Sequence, residues 1–241
     1  MNLLTVSWEK VGTEKVYLDD VMGKKGLVSV DETGDVMGDY INTWNYEVGS
    51  WGETYYYINQ PSWNFEEGGK LIDYTDTWMG ANSGYPENPE MTAGSSFWLY
   101  HIGDDIEALP FAGQVTAGAP TYTLMAGQMN LCGNPFASEL DLRNKSQVKI
   151  TGATSVDEEG NVMGDYINTW DLTVGSWGET YYYINQPSWN FEEGGKLIDY
   201  TDTWMGANSG YPENTAIQPG AGFWYYAKEN NVTLAFENPV K

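Results

Sequence analysis

The chain contains one long internal repeat. Residues Asp31–Asn88 recur 126 positions later as Asp157–Asn214 with five differences, and the copies are identical from Val48 to Asn88. Solenoid and propeller repeats are shorter, about 20–50 residues, so each copy here is large enough to form a domain with its own core. We therefore predict two tandem domains, 1–115 and 116–241, related by internal duplication.

The composition favours an all-β fold. Its 28 glycines and 10 prolines separate short runs rich in Val, Ile, Tyr, Phe and Trp, which is typical of strands joined by turns. A sustained helical spacing of apolar residues is missing, although a short helical turn is predicted around Leu18–Met22. We predict two β-sandwich-like domains. The candidate strands are Leu3–Ser7, Leu27–Val30, Tyr55–Ile58, Phe97–His101, Tyr122–Met125, Val148–Ile150, Tyr181–Ile184, Phe223–Ala227 and Val232–Phe236.

The net charge of −23 limits the partners that the chain can bind. Phosphate recognition requires clustered Lys and Arg, so we expect no nucleic-acid binding. The sequence has no apolar run of membrane-spanning length, so we expect no membrane insertion. The single cysteine, Cys132, cannot form an intrachain disulfide. It corresponds to Leu4 of the first copy, which favours a small buried apolar role.

A strand candidate around Tyr122 breaks the symmetry of the repeat. It precedes the second copy and has no counterpart before the first. We therefore expect an unpaired sheet edge in the first copy, which invites pairing with another chain. We also expect neighbouring chains to meet as the two copies do, which would give a homopolymer. The predicted interface residues are Leu3, Val6, Trp8, Tyr122, Leu124, Val232, Leu234 and Phe236.

Ten of the 11 tryptophans occur in matched pairs, and each copy contains three consecutive tyrosines. We favour core and interface packing as the explanation. Because strand residues alternate between faces, Tyr56 must point away from Tyr55 and Tyr57. The alternative is a duplicated glycan-binding module, since flat rings suit the C–H faces of sugars. Its candidate residues are Trp51, Trp63, Trp177 and Trp189.

Acidic residues cluster in a glycine-containing loop of each copy. Ca²⁺ takes six to eight oxygen ligands, which such a loop can supply. The candidate ligands are Asp31, Asp35 and Asp39 in the first copy and Asp157, Glu159 and Asp165 in the second. The spacing does not match an EF-hand, and we favour a solvated acidic turn over metal binding as the explanation of the pattern.

The sequence gives little support for catalysis. His101 is the only histidine, and Ala227 occupies its position in the second copy. A Ser-His-Asp arrangement would therefore depend on one unrepeated residue. Cys132 has no surrounding motif that would activate a thiol. We expect a protein that is not an enzyme.

The second copy resembles a known repeat. Its segments Gly127–Phe136, Gly164–Trp170 and Pro219–Trp224 are similar to the G-x-N-L-x-G-N-P-[FY], D-x-I-x-x-W and P-G-x-G-F-[WF] motifs of large bacterial secreted and cell-surface proteins. The resemblance implies an extracellular or cell-surface location, with the signal peptide already removed, and supplies no catalytic residues. We expect a structural subunit of such a surface assembly, for example a filament.

Overall fold

The computed structural model describes residues 2–6, 8–9, 15–104, 114–115 and 120–237 and shows an all-β protein, as predicted. The paired strands in these residues are all antiparallel. The first repeat contains β1 (Asn2–Thr5), β2 (Trp8–Glu9), β3 (Val16–Tyr17), helix α1 (Leu18–Val21), β4 (Tyr40–Asn45), β5 (Ser50–Ile58), a 3₁₀ turn (Pro61–Trp63), β6 (Phe65–Glu67), β7 (Lys70–Ile72), β8 (Thr77–Gly80), β9 (Glu90–Met91), β10 (Ser96–Tyr100) and β11 (Gln114–Val115). The second contains β12 (Thr121–Leu124), β13 (Gln128–Gly133), β14 (Val148–Thr151), β15 (Tyr166–Asp171), β16 (Ser176–Ile184), a 3₁₀ turn (Pro187–Trp189), β17 (Phe191–Glu193), β18 (Lys196–Ile198), β19 (Thr203–Gly206), β20 (Gly222–Ala227) and β21 (Val232–Phe236).

The two repeats build the same five-stranded sheet. The strand order is β1-β10-β4-β5-β8 in the first and β13-β20-β15-β16-β19 in the second. Both sheets carry an irregularity at the same place, after Asn42 and after Asn168. At this point the hydroxyl of Thr43 donates to the carbonyl of Glu53 over 2.8 Å. The local hydrogen bonds of the repeated sequence therefore fix the same sheet geometry twice.

The second repeat is a sandwich of two sheets. A three-stranded sheet in the order β12-β21-β14 covers one face of the five-stranded sheet. Leu124, Leu234 and Phe236 from the smaller sheet pack in one buried cluster with Phe223 and Tyr225 from the larger sheet. Burying side chains of this size is the main favourable term for folding, roughly 1.5–3 kcal/mol for each.

The first repeat covers the same sheet face differently within its described residues. Helix α1 supplies the fully buried Leu18 and Val21, and Met22 follows them. These side chains pack in one cluster with Ile41 and Phe97 of the five-stranded sheet. The short helix that the sequence predicts at Leu18–Met22 is therefore part of the core.

The residues predicted to pair with another chain make their contacts within this one. β21 lies between β12 and β14, so both of its edges are paired, and Val232, Leu234 and Phe236 are buried. Leu124 and Val6 lie in the cores of the second and first repeat. β21 therefore offers no free edge to another chain, whereas the expected unpaired edge of the first copy stays a prediction.

Two of the remaining three predicted interface residues, Tyr122 and Leu3, lie at the contact between the repeats. The ring of Tyr122 stacks on that of Tyr46 with centroids 5.4 Å apart, and its hydroxyl donates to the carbonyl of Ala93 over 2.8 Å. Leu3 is fully buried among residues of both repeats. Trp8 pairs in β2 with Val115 of β11, and its side chain lies outside the described part.

A pseudo-two-fold contact joins the repeats. Trp44 meets Trp224 with ring centroids 5.1 Å apart, and their counterparts Trp170 and Trp98 meet at 4.9 Å. The same surface of each repeat therefore faces the other, as in an isologous dimer. Because such a contact is closed, these tryptophan surfaces are occupied within the chain, and the way in which neighbouring chains meet stays a prediction.

Small residues make the junction asymmetric in detail. A Cβ atom on Gly133 would lie 1.9 Å from Thr5 Oγ1, and one on Gly222 would lie 2.5 Å from Leu3 Cγ. The first repeat has Thr5 and Ser96 at the matching places, and their buried hydroxyls lie 2.7 Å apart. The side chains of the first repeat thus fill space that glycines leave open in the second.

Candidate functional site

Each five-stranded sheet carries a ladder of tyrosines on the face that points away from its core. In the first repeat Tyr40 pairs across the strands with Tyr56 and with Tyr100. Because paired residues share a face, the rings lie side by side, with centroids 5.7 Å and 4.9 Å from that of Tyr40. Tyr55 and Tyr57 point the other way and are buried, which confirms the predicted alternation.

A short hairpin, β6–β7, adds further rings. Its turn, Gly68-Gly69, has φ of +58° and +76°, which glycine adopts readily and which suits the primed turns of two-residue hairpins. Phe65 at the start of β6 is 41% exposed. Its ring centroid lies 6.4 Å from those of Tyr74 and Tyr85. The hairpin therefore keeps a large apolar side chain in contact with solvent.

Trp63, one of the predicted sugar platforms, ends this row of rings. Its ring centroid lies 6.0 Å from that of Tyr74, and its Nε1 donates to the carbonyl of Glu32 over 3.2 Å. The indole is thus fixed against the acidic loop. We call Tyr40, Tyr56, Trp63, Phe65, Tyr85 and Tyr100 the aromatic face of the first repeat, and Tyr166, Tyr182, Trp189, Phe191, Tyr211 and Tyr226 that of the second.

The aromatic face of the second repeat has the same geometry. The ring of Tyr166 lies 5.0 Å from that of Tyr226 and 6.0 Å from that of Tyr182. Phe191 lies 6.4 Å from Tyr211, and both are 41% exposed, as are their counterparts. The chain therefore presents one surface twice. Exposed apolar residues grouped in this way mark contact surfaces rather than random surface composition.

Trp51 and Trp177, the other two predicted platforms, lie at the junction between the repeats. The ring centroid of Trp51 is 5.8 Å from that of Trp224, and that of Trp177 is 6.1 Å from that of Trp98. Both contacts are edge-to-face, the favoured geometry of aromatic pairs. About half of each side chain remains exposed, 48% and 53%. These two rings therefore lie at the rim of the junction.

The candidate calcium ligands in the acidic loops bond to their own backbone. Oδ1 of Asp31 accepts from the N–H of Val36 over 3.2 Å, and this bond holds the pKa of Asp31 below its usual value. Oδ1 of Asp157 accepts from the N–H of Val162 over 2.9 Å. The other two loop candidates, Asp35 and Glu159, are exposed. The geometry is that of an acidic turn that closes on itself.

Asp39 and Asp165 lie apart from these loops, in the interior. Oδ1 of Asp165 accepts from the N–H of Lys228, and Oδ2 accepts from the hydroxyl of Tyr225, both over 2.9 Å. Burial raises the pKa of Asp165 above its usual value. Within the described residues, no three His, Cys, Asp or Glu side chains are grouped to hold a metal ion. The structure thus does not bring the predicted ligands together.

Asp39 contacts the only histidine. Its carboxylate accepts from the backbone N–H groups of Val28 and Ile102, both over 2.9 Å, and lies 2.7 Å from Nδ1 of His101. Nε2 of His101 lies 2.5 Å from the carbonyl of Asp104. Both ring nitrogens are thus engaged in holding the end of β10. In the second repeat, Tyr225 takes over the contact with the equivalent carboxylate.

Cys132 is fully buried in the core of the second repeat, where burial raises the pKa of its thiol. This position agrees with the small apolar role predicted from the sequence. A thiol with a raised pKa is a poor nucleophile at neutral pH. The described part of the chain also has no helix long and apolar enough to cross a membrane.

Comparison of the chain with protein-family models, with curated proteins and with solved structures gave no match. The resemblance to bacterial surface repeats therefore remains a prediction from the sequence.

The sequence did not lead us to Phe65 and Tyr85 as site residues, or to their counterparts Phe191 and Tyr211. The signal was present, because Glu67-Gly68-Gly69-Lys70 between short apolar runs is a hairpin pattern.

Proposed function

We propose that the chain is a non-catalytic structural subunit that assembles with other copies of itself through its two aromatic faces, in an extracellular or cell-surface setting. The observation that carries the proposal is the presence of two matching exposed faces on one chain. A subunit with two self-associating surfaces can bind two neighbours, so assembly continues into a linear polymer unless the geometry closes a ring.

The closed junction between the repeats supports this choice of surface. The strands that the sequence suggested for assembly are paired within the chain, and the tryptophan junction is occupied. The aromatic faces remain exposed in part, and their outer edge is not an open strand. The bridge between Met79 and Pro86 covers the edge of β8. Assembly through these faces would therefore use side-chain packing rather than strand addition.

The acidic composition sets the conditions of assembly. At a net charge of −23, two copies repel each other. Salt screens this repulsion, with a Debye length of about 8 Å at physiological ionic strength. We therefore expect assembly to strengthen with added NaCl, as apolar contacts remain while the opposing charge term falls.

The test is analytical ultracentrifugation of the wild type and of Tyr56→Glu/Tyr182→Glu, which places a charge at the centre of each aromatic face. We expect concentration-dependent growth of the wild type and a monomeric double variant. The matched control is Val48→Glu/Val174→Glu, which changes the exposed turn between two strands of each sheet. Assembly of the Tyr variant at the wild-type level, or its loss in the Val control alone, would reject the proposal.

Glycan binding by a duplicated module is the second candidate. It is favoured by the same exposed rings, since Phe65 and Tyr85 are each 41% exposed and add to the predicted platform Trp51. Affinity electrophoresis in polysaccharide gels separates the two candidates. Retarded migration of a variant that remains monomeric would favour glycan binding, and polymer formation without retardation would favour assembly.

A further inference from the structure

The second repeat has a groove beside its aromatic face. The groove has a volume of about 620 Å³ and is lined by residues that include Asp141, Arg143, Asn144, Lys196, Asp199 and Tyr211. This volume falls within the range of about 300–1,000 Å³ that is usual for small-molecule sites. Three separate segments form its walls: the loop after β13, strand β18 with the loop that follows it, and the turn that contains Tyr211.

Several of the charged groups in and beside the groove have partners within the protein. The guanidinium of Arg143 lies 3.4 Å from the carboxylate of Asp141. Lys145 beside the groove lies 2.6 Å from Asp202. Asp199 accepts from the N–H of Thr201 over 2.9 Å. Because cations and carboxylates offset each other, the groove gives no strong preference for a ligand of either charge.

The hydrogen-bonding groups of the groove are suited to recognising the hydroxyl groups of a ligand. Arg143, Lys196 and the amide of Asn144 donate hydrogen bonds, whereas the carboxylates and the amide oxygen accept them. A sugar hydroxyl does both. Tyr211 and Leu197, 41% and 55% exposed, add an apolar wall to this polar groove. A partly apolar wall with polar groups around it suits the C–H face and the hydroxyl rim of a sugar ring.

The first repeat has different residues at the matching positions. Alignment of Leu18 with Leu142 places Asp19, in helix α1, opposite Arg143. The ammonium of Lys24 lies 2.9 Å from Asp19 and also donates to the carbonyl of Asp76, the counterpart of Asp202. A carboxylate that is bridged to the neighbouring loop thus replaces the guanidinium of the second repeat.

We propose that the groove of the second repeat is a binding site for a neutral polysaccharide and that the first repeat does not share it. The site uses Tyr211 as the stacking wall and Arg143 and Asn144 as hydrogen-bond donors. It would let the chain hold a glycan matrix at one place. Tyr211 also belongs to the aromatic face, whereas Arg143 and Asn144 lie outside that face and therefore report on glycan binding alone.

The experiment is affinity electrophoresis of the full chain in gels that contain a β-glucan, a xylan, a galactomannan or, for comparison, anionic polygalacturonate. We expect retardation by at least one neutral polymer. Arg143→Gln and Tyr211→Ala should each weaken this binding by about tenfold or more, the loss expected for one charged hydrogen bond or one stacked ring. Tyr211→Phe keeps the wall and should bind within a few-fold of the wild type.

The matched control is Asp19→Asn, since Asp19 occupies the position of Arg143 in the repeat that lacks the site. It should leave binding unchanged. Equal loss in Asp19→Asn and Arg143→Gln, retardation by polygalacturonate only, or no retardation by any polymer would overturn the proposal. The sedimentation of Arg143→Gln should equal that of the wild type, so failure of glycan binding is distinguishable from failure of assembly.

Discussion

At the residue scale, Asp165 shows what burial does to a carboxylate. Its folded pKa is raised, so the folded state holds the proton more tightly than the unfolded state, where the pKa is near 3.8. Wild-type stability therefore falls as the pH rises through the interval between these two values. Asp165→Asn removes this loss and keeps one acceptor oxygen for the N–H of Lys228. We expect the stability of the variant relative to wild type to rise from about pH 3 to about pH 7, measured by urea denaturation.

Asp31 provides a control, because its pKa is shifted in the opposite direction to that of Asp165. Its pKa is lowered by the bond from Val36, so its contribution is present above pH 3.8 and is lost as the pH falls through the folded value. Asp31→Asn should therefore lose stability relative to wild type at neutral pH and approach it in acid. If the stabilities of the two variants relative to wild type changed in parallel with pH, both assigned pKa shifts would be contradicted.

Gly222 tests the fit between the repeats. A Cβ atom there would lie 2.5 Å from Leu3 Cγ, so Gly222→Ala should cost about 1–3 kcal/mol through overpacking. Leu3→Ala alone should cost about 2–5 kcal/mol because it leaves a cavity. The double variant makes room for the new methyl group, so its loss should be clearly smaller than the sum of the two. Additive losses in urea denaturation would show that the residues do not touch.

At the element scale, an apolar run in the sequence predicted a strand correctly where another strand of the fold pairs with it. Val232–Phe236 is a strand over the predicted range. Leu27–Val30 has the same kind of composition but is not a strand. Its backbone bonds go elsewhere: Val28 pairs with Asp39, and the N–H of Val30 donates to the carbonyl of Tyr57 over 3.1 Å. Such partners are distant in sequence, so composition alone cannot reveal them.

β12 has two roles, and its sequence indicated only that it forms a strand. The strand near Tyr122 completes the smaller sheet of the second repeat and also contacts the first. Tyr122→Phe removes the hydroxyl that donates to the carbonyl of Ala93, which we expect to cost about 1 kcal/mol. The measurement is the midpoint of chemical denaturation, with Tyr100→Phe, whose side chain is partly exposed, as the control. Equal midpoints for Tyr122→Phe and wild type would contradict a link between the repeats at this point.

At the scale of the whole molecule, the repeat predicted two similar sheets but not how they meet. The pseudo-two-fold contact depends on which sheet face each tryptophan occupies, and Trp44 and Trp98 are far apart in sequence. The candidate site was partly predictable, because the tyrosine alternation was correct. The groove of the second repeat was not, since it needs three loops that only the fold brings together.

The most direct test of the central claim is the mass of a chain with one disabled aromatic face, measured by size-exclusion chromatography with light scattering. Two working faces allow growth beyond a dimer, whereas one face allows only a pair. We therefore predict polymers for the wild type, dimers for Tyr56→Glu and for Tyr182→Glu, and monomers for the double variant. Polymers from either single variant, or a monomeric wild type at all concentrations and salt levels, would contradict the account.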